Sequence, residues 1–179
     1  HHWGANKNKG FDVYKKIDDL MGTEKWKEKI EFTYVGNLPA NFNFHNARYV
    51  PPLAGEKLAK EIKKNHIYIT ASINEPSGNH HIEGSQCGLP LMFIESGGVT
   101  EYCKDYGTSY TLQTLESKLE FVLENYSSLS SKISLYPNNS ERMAEEFLDL
   151  FKNILKNKDT ILNSRSLSKS TGLQTITYQ

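Results

Sequence analysis

The chain of 179 residues has few of the features that would identify its class at once. Its only two cysteines, Cys87 and Cys103, lack metal-type or redox-type spacing, so we interpret them as free thiols in a reducing compartment, with a disulfide as the alternative. Lys plus Arg and Asp plus Glu both number 21, and this balance gives no basic stripe that would favour nucleic acid as a partner. No apolar run approaches the roughly 20 residues of a spanning helix, and no signal peptide is visible, which favours a soluble globular protein.

Helical and strand patterns alternate along the chain. Helices are predicted at 11–22, 55–65, 79–87, 99–105, 115–126 and 140–157, and strands at 30–36, 48–53, 66–72, 91–95 and 109–112. Ser140 is predicted to begin the last helix, with Glu141 in its first turn. Such alternation on short connections predicts an α/β fold, a doubly wound parallel sheet covered on both faces. We expect a domain over 1–156 and a polar, flexible C-terminal extension over 157–179.

The stretch NEPSGNHHIEGSQCGLP (74–90) carries two glutamates around a predicted turn and helix start. Glu75 follows a strand, whereas Glu83 lies some four residues inside the helix, whose free N–H groups run from about Ser77 to His81. The amides at the helix start can bind a phosphate, and each carboxylate can accept hydrogen bonds from vicinal hydroxyls. A nucleotide-sugar would therefore satisfy the amides and both glutamates. By spacing alone, however, two glutamates eight positions apart are usually a surface carboxylate and a helix-start carboxylate.

A second loop, FIESGG, also leaves the carboxyl end of a strand and should lie at the same edge of the sheet. NEPSGNHHIEGSQCGLP followed by IESGGVTEYCKDYG resembles the donor-binding, C-terminal domain of family 4 (group 1) glycosyltransferases of the GT-B fold. HHWGANKNKGFDVYKKID is similar to the segment that opens this domain, and NARYVPPLAGEKLAKEIKKNHIYITAS to its middle part. The resemblance covers roughly residues 1 to 112 and implies a Rossmann-like sheet whose first strand is truncated.

The resemblance implies roles for individual residues. Glu75 would contact the hydroxyls of the donor sugar, Glu83 those of the ribose, and Lys9 would neutralise the diphosphate leaving group. The other donor-binding residues that it implies, mainly through backbone amides near the sugar and phosphate, are Ser77, Gly78, Asn79 and His80. Glu101 either faces the donor or only favours its own helix start. No metal and no cofactor other than the nucleoside-diphosphate sugar itself is implied.

Some assignments have alternatives at this stage. Lys9 also fits a solvated loop lysine, and the side chains of His80 and His81 either donate to phosphate or merely cap the helix. Trp3 stands where members of the family usually place a second phosphate-binding arginine, with Lys7 as the substitute cation. This departure weakens the expected phosphate contacts rather than the expected fold.

The function that the resemblance implies is retaining transfer of a sugar from a nucleoside-diphosphate sugar to an acceptor hydroxyl, such as that of a glycan, in glycan biosynthesis. The sequence identifies no carboxylate nucleophile for double displacement, and the resemblance implies front-face attack instead. The alternatives are a non-catalytic nucleotide-sugar binding module and an epimerase or phosphorylase of the same fold.

The chain also lacks parts of such an enzyme. Most of the central strand and the whole N-terminal acceptor domain are absent, so these residues alone should be poorly stable and inactive in transfer. The expected location is cytoplasmic, at the inner face of a membrane if the acceptor domain associates with one. The expected partners are the donor, the acceptor and that domain, with no nucleic acid.

Overall fold

The structure is a computed structural model, and it describes residues 1–164. The chain divides into two compact units, His1–Asn138 and Asn139–Gln179. The boundary therefore lies before the last long helix, whereas the sequence predicts a domain that includes this helix. The site predicted from the sequence falls entirely within the first unit.

The first unit alternates short strands and helices. Its strands are β1 (Thr33–Val35), β2 (Arg48–Val50), β3 (Tyr68–Thr70), β4 (Leu91–Phe93) and β5 (Gly107–Ser109). Its helices are α1 (Phe11–Met21), α2 (Gly55–Ile62), α3 (Asn79–Gln86), α4 (Val99–Cys103), α5 (Leu115–Glu124) and α6 (Tyr126–Ile133), preceded by a short 3-10 helix over Lys7–Lys9.

Every strand pairing in the first unit is parallel. β1 pairs with β2, with Tyr34 opposite Tyr49. β3, β4 and β5 form a second sheet in that order, with Ile69 opposite Met92. This arrangement confirms the predicted α/β class with parallel strands. Of the first strand of the expected fold, the described residues contain only an isolated parallel bridge between His2 and Gly36.

β4 shows how the sheet is covered on both faces. Its three residues are all buried, and successive side chains point to opposite faces. Leu91 and Phe93 belong to one hydrophobic cluster with residues of α2 and α4. Met92 belongs to another with residues of α1 and α5. Helices therefore pack on both faces of this sheet, as the continuous apolar run of β4 predicts.

α7 (Ser140–Lys156) begins at Ser140 and has Glu141 in its first turn, as predicted. The residue that caps its N-terminus is Asn139, whose side chain accepts a hydrogen bond from the Arg142 N–H. The helix α6 was not predicted from the sequence. Leu129 and Ile133, spaced by one helical turn on a serine-rich segment, are its only buried residues.

The second unit begins with α7 and continues into α8 (Lys158–Ser164). The sequence predicts no periodic structure from 157 onward, so α8 differs from that expectation, and residues 165–179 of the predicted extension lie outside the described residues. α7 has no buried residue, and its large apolar side chains, among them Phe147, Phe151 and Leu155, are exposed.

Both cysteines are free thiols, as predicted. Cys103 is buried, which raises the pKa of its thiol to about 12. Burial also raises the pKa of Cys87. Among residues 1–164, no helix combines the length and the apolar character needed to cross a membrane.

Candidate functional site

Two loops that follow adjacent strands form one edge of the second sheet. The loop after β3 carries Glu75, and the loop after β4 carries Ser96, Gly97 and Gly98. The Asn74 N–H donates to the Ser96 hydroxyl over 2.8 Å, and the Gly98 N–H donates to the Glu75 carbonyl over 2.9 Å. We call residues 74–78 and 96–98 the rim. Its formation confirms the expectation that both loops lie at one edge.

Lys9 reaches the rim from a distant part of the sequence. The 3-10 helix that holds it is capped by Asn6, whose side chain accepts from the Asn8 N–H, and the Asn8 carbonyl accepts from the Ile73 N–H over 2.8 Å. Lys9 Nζ lies 2.5 Å from Glu75 Oε2. Both side chains are largely buried, at 16% and 21% exposure, so solvent screens this ion pair less than a surface pair. The structure thus brings the two predicted catalytic residues together.

The N-terminus of α3 faces the rim with free amides. Gly78 precedes the helix, and no side chain caps the first N–H groups. Ser77 and Asn79 are exposed. A Cβ at Gly78 would come within 2.6 Å of the His80 ring and 2.9 Å of Glu75 Cγ. Glycine is therefore needed here to admit these two side chains, a reason that the sequence did not supply.

Glu83 lies one turn further along α3, and its side chain is 48% exposed. Its Oε2 is 2.7 Å from His1 Nε2. This hydrogen bond lowers the pKa of Glu83 below the ordinary 4.5, against the opposing effect of partial burial. Glu83 is consequently a carboxylate at neutral pH, with one oxygen left for another partner.

Three histidines lie buried beside the rim, and we call His2, His80 and His81 the histidine cluster. The His80 and His2 ring centroids are 4.7 Å apart, and those of His80 and His81 are 5.0 Å apart. His2 Nε2 lies 2.7 Å from the Tyr14 hydroxyl, and His80 Nε2 lies 2.8 Å from the Thr70 hydroxyl. Neither His80 nor His81 faces solvent, and neither side chain makes a capping hydrogen bond at the N-terminus of α3.

The cluster contains a residue, His81, whose burial the sequence did not predict. His81 is fully buried, and neither of its ring nitrogens has a hydrogen-bond partner. Burial lowers its pKa to about 4, although the charge of Glu75 acts in the opposite direction. The doubled histidine at a helix start was the only signal in the sequence, and that signal does not distinguish a buried ring from an exposed one.

The remaining predicted residues are exposed. Glu101 lies in the first turn of α4, and its side chain makes no hydrogen bond or ion pair within residues 1–164. Trp3 is 64% exposed, and Lys7 lies on the exposed side of the 3-10 helix that carries Lys9. No cluster of three His, Cys, Asp or Glu side chains suited to a metal ion occurs in the described part of the chain. The structure therefore does not bring Glu101 or Lys7 to the ion pair.

Gly97 is the residue that lets the two loops of the rim approach each other. It has φ +58°, and a Cβ there would lie 2.3 Å from the Glu75 carbonyl oxygen. Gly55 has nearly the same φ, +55°, with no atom within 4 Å of the added Cβ. We expect Gly55→Ala to cost about 1–2 kcal/mol from backbone strain alone, and Gly97→Ala to cost about 1–3 kcal/mol more from the clash.

Urea unfolding of the two glycine variants measures the difference. The clash should also displace the Glu75 backbone, so only Gly97→Ala should change the amide chemical shifts of residues 74–78. Equal costs for both variants would show that the rim loops separate freely and are not held in contact.

The chain matches no protein-family model and no curated protein by sequence. Its fold is similar to sucrose-phosphate synthase from Thermosynechococcus elongatus, with a TM-score of 0.62 and 15% identity over 84% of this chain and 43% of that one. It is equally similar to the pneumococcal O-GlcNAc transferase GtfA, solved in complex with UDP and GlcNAc, with a TM-score of 0.62 and 14% identity over 84% of this chain and 34% of that one.

These similarities establish the fold. The chain spans less than half the length of either protein, and at such low identity the comparison does not transfer their activities. The α/β domain with parallel sheets is thus of the kind found in part of GT-B glycosyltransferases.

Proposed function

We propose that the chain is the donor-binding domain of a retaining glycosyltransferase and that its rim binds a nucleoside-diphosphate sugar. The observation that carries this proposal is the combination of two carboxylates and one cation around an uncapped helix N-terminus. Lys9 Nζ lies 2.5 Å from Glu75, and Glu83 stands one turn into the same helix. The likeness in fold to two glycosyltransferases, one of them solved with UDP and GlcNAc, supports it.

Each group has a chemical role in the proposed complex. The free N–H groups at Gly78, Asn79 and His80 bind the diphosphate, with the positive end of the helix dipole behind them. Glu83 accepts from the ribose hydroxyls, and Glu75 accepts from the sugar hydroxyls. These carboxylates repel phosphate, so they fit only the hydroxyl-bearing ends of the ligand. Ser77 belongs to the rim itself, and Glu101 donates its backbone N–H to the carbonyl of Gly98 in the rim.

In this proposal Lys9 offsets charge on the departing diphosphate. In the proposed reaction the acceptor hydroxyl attacks on the face that the nucleotide leaves, so the protein supplies orientation and charge stabilisation rather than a covalent nucleophile. We also propose that transfer requires an acceptor-binding domain.

A second candidate, a binding module without catalysis, is favoured by one observation. Trp3, at the position where the resembled family has an arginine, is 64% exposed and brings no positive charge to the phosphates. Such a module would bind the donor as proposed but would not transfer sugar in the presence of the acceptor domain.

Calorimetry with nucleoside diphosphates and their sugar derivatives tests the proposed site. Glu83→Gln should weaken both ligand types by about tenfold or more, because a charged hydrogen bond to ribose is lost. Glu75→Gln should weaken only the sugar-bearing ligands. Glu56→Gln, at a carboxylate that is 90% exposed on α2, is the matched control and should change neither. Absence of binding by the unaltered chain, or equal effects of all three substitutions, would reject the donor site.

A further inference from the structure

The side chain of His80 reaches the rim at a point that Glu75 also contacts. A Cβ added at Gly78 would lie 2.8 Å from His80 Nδ1 and 2.9 Å from Glu75 Cγ. The ring edge that carries Nδ1 therefore faces the rim beside Glu75. His80 is 8% exposed, and its Nδ1 makes no hydrogen bond within residues 1–164. His80 thus brings an unpartnered polar atom to the rim.

The opposite ring nitrogen of His80 is held by a buried hydroxyl. Thr70, the last residue of β3, is fully buried, and its Oγ1 lies 2.8 Å from His80 Nε2. The same oxygen accepts a hydrogen bond from the Ser72 N–H over 3.3 Å. The Thr70 hydroxyl then still has its own proton to donate, and a buried donor without an acceptor is costly. His80 Nε2 lies within hydrogen-bond distance and can accept this proton.

Tyr14, whose hydroxyl also lies near Thr70, does not compete for this proton. The Tyr14 hydroxyl already accepts from the Ala71 N–H over 3.1 Å and lies 2.7 Å from His2 Nε2. The Thr70 proton is therefore assigned to His80 Nε2, which must be unprotonated to accept it. Burial, with smaller effects of nearby charges, lowers the pKa of His80 to about 2, so the ring is neutral and has one proton. That proton is consequently on Nδ1, where it faces the rim.

A neutral N–H donor and a carboxylate at the same point match a hydroxyl group. A hydroxyl can accept from His80 Nδ1 and donate to Glu75 at once, whereas a phosphate oxygen there would be repelled by Glu75. We propose that His80 and Glu75 together bind one hydroxyl of the donor sugar, and that Thr70 is a positioning residue that holds the His80 proton on Nδ1. This inference rests on the proposed function and deepens it, because it assigns the His80 side chain to the sugar and only the backbone N–H to the diphosphate.

The shared hydroxyl sets a requirement on the sugar. A donor whose sugar lacks this hydroxyl leaves both the His80 N–H and the Glu75 carboxylate without a partner, which costs more affinity than the loss of one contact. Among the monodeoxy analogues of a sugar that binds, one should therefore bind about tenfold or more weakly than the parent donor. A series in which every analogue keeps the affinity of the parent would contradict this requirement.

Nitrogen NMR of the imidazole rings in the complete chain without ligand tests the hydrogen-bond chain directly. Protonated and unprotonated ring nitrogens have well-separated chemical shifts, so the spectrum shows which nitrogen of His80 carries the proton. We expect the proton on Nδ1 in the unaltered chain and in Thr70→Ser, which keeps the hydroxyl. Thr70→Val keeps the β-branched shape, removes the hydroxyl and should lose this preference. A proton on Nε2 in the unaltered chain would overturn the proposal, whatever the variants and the ligands do.

Calorimetry tests the contact with the sugar. The ligands are uridine, guanosine and adenosine diphosphates, each compared with its glucose derivative. Thr70→Val should weaken the glucose derivatives by about tenfold and leave the plain diphosphates unchanged. Thr70→Ser is the matched control and should bind every ligand like the unaltered chain. In Thr70→Val/Glu75→Gln the two losses should not add, because both groups bind the same hydroxyl.

The outcomes separate this inference from the proposed function. An equal loss for the plain diphosphates in Thr70→Val would assign His80 to the phosphate and overturn the inference, while the donor site would stand. Unchanged affinity for the glucose derivatives in Thr70→Val, or additive losses in the double variant, would contradict the shared hydroxyl. If the unaltered chain binds none of these ligands, the proposed donor site is rejected, and the sugar contact is rejected with it.

Discussion

Lowering the pH from about 7 to about 5 is expected to reduce the free energy of unfolding of the first unit by up to about 6 kcal/mol. The cause is the histidine cluster. Desolvation by burial lowers the pKa of His2 and of His80 to about 2, with smaller contributions from neighbouring charges, and that of His81 to about 4. All three are neutral in the folded chain at pH 5.

The sign follows from the two states. The unfolded histidines have pKa values near 6.5, so below that pH the unfolded chain binds more protons than the folded chain and becomes relatively more stable. Each buried histidine then lowers the free energy of unfolding by about 2 kcal/mol at about pH 5. Stability continues to fall until the pH reaches the folded values, about 4 for His81 and about 2 for the others.

Carboxylates do not account for a loss of stability between about pH 7 and 5. The hydrogen bond from His1 lowers the pKa of Glu83 below 4.5, so its stabilising effect is present above that pH and is lost only at lower pH. A loss of stability that already begins near pH 6.5 therefore reports on the histidines.

Urea unfolding across a pH series measures the effect, and His81→Phe identifies its source. A phenylalanine ring can keep the contact that the His81 ring makes with Tyr102. The substitution breaks no hydrogen bond, because the ring nitrogens of His81 make none. The variant should lower the slope of stability against pH by about 1 kcal/mol per pH unit between about pH 5 and 6. His66→Gln, at an exposed ring, is the control and should leave the slope unchanged. Parallel slopes for wild type and His81→Phe would contradict the assignment.

The second large effect is expected at Lys9. Lys9→Met keeps the aliphatic stem and removes the charge, so affinity for a nucleoside diphosphate should fall by about tenfold to a hundredfold, the value of a charged hydrogen bond. Affinity for the nucleoside without phosphates should not change. Lys7→Met is the matched control, because Lys7 lies on the same 3-10 helix and is exposed.

Lys9→Met also leaves Glu75 as an unpaired, mostly buried carboxylate, which would itself repel phosphate. The double variant Lys9→Met/Glu75→Gln separates the two causes. If the lysine binds phosphate, the double variant stays weak. If affinity returns to that of the unaltered chain, the lysine only neutralises Glu75, and its proposed role as a phosphate ligand is wrong.

Most helices and the positions of four of the five strands follow from the sequence, because apolar periodicity is a local property. The fifth strand, β5, lies at Gly107–Ser109 instead of the predicted 109–112. β4 is predicted by its continuous apolar run and α1 by its spacing of three and four. The strands are shorter than predicted: the run 30–36 yields only Thr33–Val35. Strand length depends on neighbours, and within the described chain β1 has a ladder partner on one side only, apart from the bridge at His2.

The site was predictable only in part, because its contacts join residues that are distant in the sequence. The motif around Glu75 and Glu83 gives residue types and local order, and its resemblance supplies Lys9. The contact between Lys9 and Glu75 joins residues 66 positions apart, and the histidine cluster joins His2 to His80 and His81. Burial of a polar side chain depends on the packing of distant segments, which the sequence pattern around one histidine does not encode.

The hydrogen bonds between the loops of the rim also restrict how the site can move. Asn74 is bonded to Ser96 and Gly98 to Glu75, so the two loops must shift as one rigid body. The Lys9 segment is joined to them by the ion pair and by the Asn8 carbonyl. The rim and the Lys9 segment are therefore expected to move together, and relaxation measurements should find no microsecond-to-millisecond exchange that is confined to one of them.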